Sequence, residues 1–434
     1  VPRVVVLGLD GLSHTLAERL TSEGVMPRLS GLLDGAAGGA MHSTLPEISP
    51  VAWTTFFTAS SPAEHGVFGF TDFEFPSYSV RYNSSGRIQK PALWDWLGLQ
   101  GRRSVVLNVP MTYPARPLSG IMVSGFLAAD IQRAGYPGRV TSYLQESGYR
   151  LEADFDRVHR NRDAFLVEIE RTLAGRAALL ERFWQETWDF FFLVVTDTDR
   201  MNHFFLSEFE EHGPVHGAFL AFYRRVDDIV GQVLDRVQAL WEAGERDLCL
   251  VLLSDHGFCS VKEEFHLNRW LKAHGFQSEL GPGARVLALD PTRLYLNQAP
   301  RFAQGRVRPS EAPAILRDLA AALGAERAVD GVRAAPDIYG PAAPSVAPDL
   351  VVLPAAGYEF KARFDPGPVY TASPLKGTHT RNDAMYLIRA ADQDPIQPEV
   401  KDILDLGRFL FSRFDLDRKE PNNERSRPLG LDQP

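Results

Sequence analysis

Four short segments of this 434-residue sequence carry aspartate, histidine or both in places suited to metal chemistry. Asp199 and His203 stand four residues apart, so on a helix they share one face. Asp255 and His256 are adjacent, just after the apolar run Leu248–Leu253, where a tight turn can aim both at one ion. His379 sits in Lys376-Gly-Thr-His-Thr, a turn ahead of a strand, and Asp10 follows the apolar run Val4–Leu9. Any one aspartate after a strand is ordinarily a turn former or helix cap, and a lone histidine is ordinarily structural. Three aspartates and three histidines, all at loop ends, point instead to mixed imidazole and carboxylate ligation. That donor set suits zinc, with manganese or iron as alternatives.

Ser49 supplies a nucleophile. Ser followed by Pro50 is a helix-start pair, with Ser at the N-cap and Pro at the first helical position. A cap is the plain reading. The same placement also aims unpaired N–H groups and the positive end of the helix dipole at whatever the hydroxyl meets, which would hold a phosphate and favour the alkoxide.

The elements that must position these residues are strands. Val4–Leu9, Ser104–Val109, Phe191–Val195 and Leu248–Leu253 are apolar runs ending in polar turns, the pattern of strands buried on both faces. Helical periodicity fills Asp163–Glu186 and His216–Ala243. The alternation predicts an α/β fold with a mainly parallel, covered sheet. In such sheets ligands bind beyond the carboxyl ends of the strands, which is where Asp10, Asp199 and Asp255 fall. Composition turns rich in Ala, Pro, Gly and Arg over about 281–345, around a strand at Arg293–Asn297 and a helix at Glu311–Leu323. This predicts an insertion at the sheet edge of a catalytic region spanning 1–416, followed by a loose tail at 417–434. Asp349–Leu353 and Ala384–Ile388 again read as strands.

Composition narrows the function. A hydrophobic fraction of 44% with 23% charged residues is ordinary for a globular chain. A net charge of −9 disfavours nucleic-acid and anionic-membrane surfaces, and no apolar run approaches the roughly 20 residues a bilayer needs. Cys249 and Cys259, the only cysteines, lie too far apart along an extended run to bridge, so nothing demands an oxidising compartment. Cytoplasm is the default expectation. A secreted or periplasmic location stays open, because a cleaved leader would leave no trace.

With these motifs in order, the sequence resembles the alkaline phosphatase superfamily, in its type I phosphodiesterase/nucleotide pyrophosphatase branch. Asp10 in Leu-Asp-Gly matches that branch's opening aspartate, and Ser49 ahead of Pro62-Ala-Glu-His65-Gly66 matches its nucleophile. Asp199 with His203, Asp255-His256-Gly257 and Gly377 with His379 match its remaining motifs. The resemblance implies the three-layer fold of that superfamily, with helices on both faces of the sheet. It implies two divalent ions, one held by Asp199, His203 and His379, the other by Asp10, Asp255, His256 and the Ser49 oxygen. Asp197 is then structural or an outer support, and His65 shapes its loop. Three carboxylates and an alkoxide balance two divalent ions, so the site can accept an anionic ester.

The implied activity is that of a metal-dependent phosphodiesterase or phosphohydrolase, an in-line displacement through phosphoryl-Ser49 on a small or lipid-like phosphate ester, a diester first. Pro50 and Phe70 stand where nucleotide enzymes carry a base-stacking Phe and a phosphoryl-binding Asn, which weakens the nucleotide reading. Asn108, Phe70 and Arg200 are the substrate-contact candidates, with Lys376 and Arg381 also near ligands. Phe68, Phe73 and Tyr113 would join Phe70 in an apolar pocket or in the core. Phosphomonoesterase, phosphonate hydrolase and phosphoryl-headgroup transferase are the alternatives on this scaffold. A silent metal-binding interaction protein is the remaining one. Arylsulfatase chemistry is disfavoured, because Ser49-Pro-Val-Ala-Trp lacks the motif for formylglycine.

Overall fold

The computed structural model describes residues 2–154, 161–276, 281–362, 365–391 and 398–416. The tail expected to be loose, 417–434, lies outside the described residues. The apolar runs become the middle of an eight-stranded sheet. Its strands are β1 (Arg3–Leu9), β2 (Ala37–Met41), β3 (Ser104–Val109), β4 (Gly120–Ser124), β5 (Gly135–Tyr136), β6 (Phe190–Val195), β7 (Leu248–Leu253) and β8 (Ala384–Ala390). They lie in the order β2-β8-β7-β1-β6-β3-β4-β5. The five strands from β7 to β4 are parallel to one another. β8 runs antiparallel to β7 and β2, and β5 antiparallel to β4.

Continuous apolar strands make sense only if both faces are covered, and they are. Val5, Leu7 and Leu9 of β1 join a core closed by the helix Gly138–Glu146 and five others. These are α1 (His14–Ser22), α2 (Pro27–Leu33), α4 (Arg162–Phe183), α5 (Asp197–Glu210) and α6 (His216–Glu242). Val4 and Val6 face the other way, onto α3 (Ser49–Thr58), the helix Leu93–Leu99 and α7 (Ile403–Ser412). The protein is therefore an α/β three-layer fold, as expected.

A second, four-stranded antiparallel sheet is built from Val286–Leu289, Arg293–Leu296, Leu350–Pro354 and Val329–Ala334. The helix Ala312–Gly324 packs on it, in a core that also takes Phe265, Trp270 and Phe360. Its contents thus extend on both sides of 281–345. The buried Arg293 fastens this unit to the main body through Asp72 Oδ1, 2.7 Å away. Cys249 on β7 and Cys259 on the strand Gly257–Ser260 are both free thiols.

Candidate active site

β7, β1 and β6 are neighbours in the sheet, so the residues after them are brought to one place. Asp10 follows β1, Asp255 and His256 follow β7, and α5, which begins two residues beyond β6, presents Asp199 and His203. His379 comes from the strand Gly377–Thr380, which pairs antiparallel with Gly257–Ser260 in a register that sets Phe258 opposite His379. The rings of His256 and His379 stack with centroids 3.7 Å apart. All six candidate ligands and Ser49 are mutually connected.

The contacts close two groups. His379 Nε2 lies 3.0 Å from His203 Nε2 and 3.2 Å from Asp199 Oδ1, and His203 Nε2 lies 3.5 Å from Asp199 Oδ1. In the second group His256 Nε2 is 3.6 Å from Asp10 Oδ1 and 3.4 Å from Asp255 Oδ2. Ser49 Oγ joins it, 3.4 Å from Asp10 Oδ1 and 3.3 Å from His256 Nε2. His256 also reaches the first group, with Nε2 3.9 Å from Asp199 Oδ1. These separations match the edge of about 3.3 Å expected between ligands held 2.0–2.1 Å from a tetrahedral ion.

Each ligand is oriented by one outward contact. Trp53 Nε1 donates to Asp10 Oδ2 at 3.0 Å, the Gly11 amide donates to Asp255 Oδ1 at 3.1 Å, and an Arg200 nitrogen donates to Asp199 Oδ2. The opposite carboxylate oxygen faces inward in every case. The imidazoles follow the same rule at Nδ1. His203 bonds the Gly377 carbonyl at 3.0 Å, His256 that of Gly257 at 3.2 Å, and His379 that of Glu47 at 2.9 Å. A carbonyl only accepts, so Nδ1 carries the proton and each Nε2 offers a lone pair to the site, the tautomer metal-binding histidines adopt.

Two glycines allow this approach. Gly11 turns the chain at φ +66°, where a Cβ would also meet the Phe258 ring at 2.5 Å. A Cβ at Gly377 would meet the Asn202 carbonyl at 2.5 Å. The turn after β1 is then locked from α5, with Thr198 Oγ1 donating to the Asp10 carbonyl at 2.6 Å and Asn202 Nδ2 to that of Gly11 at 3.0 Å.

Electrostatics favour a cation here. Burial and the charges of Asp255 and Asp199 push the Asp10 carboxyl well above its usual range. Asp255 is pushed up to about 6, by burial first, although the Gly11 amide opposes it. Burial would raise Asp199 too, but His203, Arg200 and His379 outweigh it and hold that carboxyl well below its usual range. Burial takes His203 down to about 4 and His256 well below the normal imidazole range. Asp255 Oδ2 is buried without a hydrogen-bond partner. His379 goes the other way, since burial is outweighed by the Asp199 carboxylate, Glu359 and the Glu47 carbonyl, which raise it above the normal imidazole range. Crowded carboxylates, two imidazoles kept neutral by burial, a third drawn to Asp199, and one orphaned carboxylate oxygen fit divalent ions well.

Ser49 differs from its expected position in the helix cap. It is the first helical residue of α3, Ile48 occupies the cap position, and no side-chain cap bond forms. The Val51 and Ala52 amides both bond the Ile48 carbonyl, and Pro50 has none to offer. The helix start therefore brings its dipole, but not the open row of amides expected from an N-cap serine. The hydroxyl is left facing Asp10 and His256.

The substrate-contact candidates are largely committed elsewhere. Asn108, at φ +57°, gives its amide hydrogens to the Val194 carbonyl at 2.8 Å and to Thr196 Oγ1 at 3.3 Å, so it ties β3 to β6 and has none left for a phosphoryl oxygen. Arg200 is spent on Asp199 and on Glu152 Oε2 at 3.2 Å, with its guanidinium 4.2 Å over the Phe126 ring. Phe70 packs edge-on against Phe126 at 5.6 Å, so it belongs to a wall beside the site. Phe73 joins Phe75, Tyr295 and Phe302, and Phe68 joins Tyr339. Lys376 and Arg381 contribute backbone bonds, to His203 and Ser43.

Asp197 pairs with the buried Arg176, 3.1 Å away. His65 accepts the Val67 amide at Nδ1 and donates from Nε2 to Thr55 Oγ1, which braces the Pro62–Gly66 turn. Trp53, Glu47, Phe126 and Glu152 were not anticipated. Only Trp53 left a signal, being four residues after Ser49 and so on the same helical face.

The sequence matches the family described as type I phosphodiesterase / nucleotide pyrophosphatase over residues 4–381. The chain belongs to that family, within the alkaline phosphatase superfamily, and is a hydrolase of phosphoric ester bonds. Its fold is shared with phosphonoacetate hydrolase from Sinorhizobium meliloti 1021 in complex with phosphonoacetate, at a TM-score of 0.65 and 16% identity, over 95% of this chain and 96% of that one. It is also shared with an inactive murine ectonucleotide pyrophosphatase/phosphodiesterase 5 in complex with AMP, at 0.62 and 13%, over 97% of both chains. The human form of the latter gives 0.58 and 13%, over 97% of this chain and 96% of that one. No curated protein matches the sequence significantly. Among the described residues, no helix is long and apolar enough to cross a membrane.

Proposed function

We propose that this protein is a metal-dependent phosphodiesterase that cleaves small or lipid-like phosphate esters through a covalent phosphoryl-Ser49 intermediate at a two-metal centre. The observation that carries the reading is the common orientation of the ligands. Three carboxylates and three imidazoles each have one polar atom tied outward and one turned toward the space beside Ser49 Oγ. Asp10, Asp255, His256 and Ser49 would hold one ion, and Asp199, His203 and His379 the other. Zinc suits this donor set. When bound, such ions supply positive charge for the attacking and departing oxygens of an in-line displacement.

The chain's own residues do the rest. Ser49 directs its hydroxyl proton at Asp10 Oδ1 and sits where the α3 dipole favours developing negative charge. Its oxygen attacks phosphorus as the bond to the leaving alcohol breaks. Water then attacks phosphoryl-Ser49 from the vacated side, the Ser49 oxygen leaves, and the monoester product is freed. Trp53 and Arg200 keep Asp10 and Asp199 from rotating. Phe70 and Phe126 form an apolar flank suited to a hydrophobic leaving group.

Hydrolysis of aryl phosphate mono- and diesters, with and without chelator, tests this reading. The expected result is diester cleavage that chelation abolishes and zinc restores. Cleavage untouched by exhaustive chelation would defeat it, and a kcat/KM preference for the monoester would replace phosphodiesterase with phosphomonoesterase.

A further inference from the structure

Six candidate ligands have six outward partners, and among the described residues Arg200 is the only charged one. We propose that Arg200 is a positioning residue that fixes Asp199 as a one-oxygen ligand and makes the Asp199–His203–His379 site the weaker, more readily exchanged of the two. The inference rests on the two-ion reading above and concerns how the two sites differ.

Arg200 is held from three sides. One nitrogen bonds Asp199 Oδ2, Nε bonds Glu152 Oε2 at 3.2 Å, and the guanidinium lies 4.2 Å over Phe126. Phe126 is in turn braced edge-on by Phe70. The guanidinium is planar and permanently charged, so this cradle fixes its direction as well as its position. With Asp199 Oδ2 occupied, only Oδ1 is left for an ion, and Oδ1 is the atom facing His379 and His203.

Two effects then act in the same direction. A charged donor on a ligand carboxylate withdraws electron density from it, and a full positive charge beside the site repels a cation. Arg200 is 8% exposed, so water screens it poorly. The first effect is confined to Asp199, and the second, although it also reaches Asp10, falls most directly on the carboxylate that Arg200 bonds; in the other site Asp10 is held by a neutral indole and Asp255 by a backbone amide. That site also has two carboxylates against one. Glu152 is the counterweight, because its carboxylate offsets part of the Arg200 charge.

The test is a Zn2+ titration of the full-length apo-protein against a competing chelator, for wild type, Arg200→Met and Glu152→Gln. Wild type should bind about two ions in two resolved steps. Arg200→Met should tighten the weaker step by about ten-fold or more, because a full positive charge in a poorly screened place is removed, whereas Glu152→Gln should loosen that same step, since the guanidinium is no longer offset. General damage to the fold loosens binding in both variants and cannot give opposite signs. Two ions in wild type with a weaker step that Arg200→Met leaves unchanged or loosens would overturn the inference alone. Tightening of that step by Glu152→Gln, the second variant, would overturn it as well. Fewer than two ions in wild type would overturn the two-ion reading and this inference together.

Discussion

His379 Nδ1 lies 2.9 Å from the carbonyl oxygen of Glu47, two residues ahead of Ser49. One bond thus fixes the tautomer of a candidate ligand and fastens its strand to the turn that carries the nucleophile. Residues 332 positions apart in sequence are held in register by it.

Replacing His379 should therefore affect both metal content and catalysis. His379→Ala is expected to reduce bound zinc from about two ions to about one, and to lower kcat/KM at least about a hundred-fold. Elemental analysis of the purified variant, alongside steady-state kinetics, checks this. An unchanged zinc content would remove His379 from the ligand set.

Asp197 should behave in the opposite way. It neutralises Arg176, a guanidinium buried among Tyr149 and the carbonyls of Arg150 and Leu151. Removing one partner of a buried ion pair costs about 3–5 kcal/mol, because the other charge is left uncompensated. Asp197→Ala should lose stability of that order in denaturant unfolding while keeping its metal content. A variant of wild-type stability that has lost an ion would make Asp197 a ligand after all.

His65 gives a pH dependence whose sign follows from its burial, which pushes the imidazole down to about 3. The folded state keeps it neutral, bonded to Thr55 and Val67, while the unfolded chain takes up a proton below the ordinary value of 6.5. Stability contributed by this residue is complete above pH 6.5 and falls as pH drops from there toward about 3. The slope is about 1.4 kcal/mol per pH unit for one proton. Denaturant unfolding of the metal-free protein between pH 7 and pH 4.5 should show a shallower pH dependence for His65→Gln than for wild type. Equal slopes would show that His65 is not held neutral.

Much of this site could be read from the sequence because strand ends are sequence-local signals. Val4–Leu9 and Leu248–Leu253 announce buried strands, and the residues after them must emerge at the same edge of a parallel sheet. The Asp199 and His203 pairing needed only helical spacing. The short strand Gly120–Ser124 has only five residues, too few to carry a readable periodicity. Asn108 read as a strand-end donor because nothing local reveals that Val194 and Thr196 take its amide hydrogens from across the sheet. Glu152 and Phe126 lie in loops whose approach to Arg200 exists only in the tertiary structure.

The wall formed by Phe70 and Phe126 should influence specificity more than chemistry. Phe70→Ala is expected to raise KM for a diester with a hydrophobic leaving group by about ten-fold, consistent with losing about 1–2 kcal/mol of apolar contact, with kcat little changed. A fall in kcat at constant KM would place Phe70 in the positioning of Arg200 instead.

The central claim is that Ser49 is the nucleophile, and kcat/KM for bis(4-nitrophenyl) phosphate in zinc-loaded wild type and Ser49→Ala tests it most directly. A loss of at least about a thousand-fold is predicted, because the alanine variant can form no phosphoryl-enzyme. Turnover by Ser49→Ala at the wild-type rate would contradict the claim and shift the attack to water.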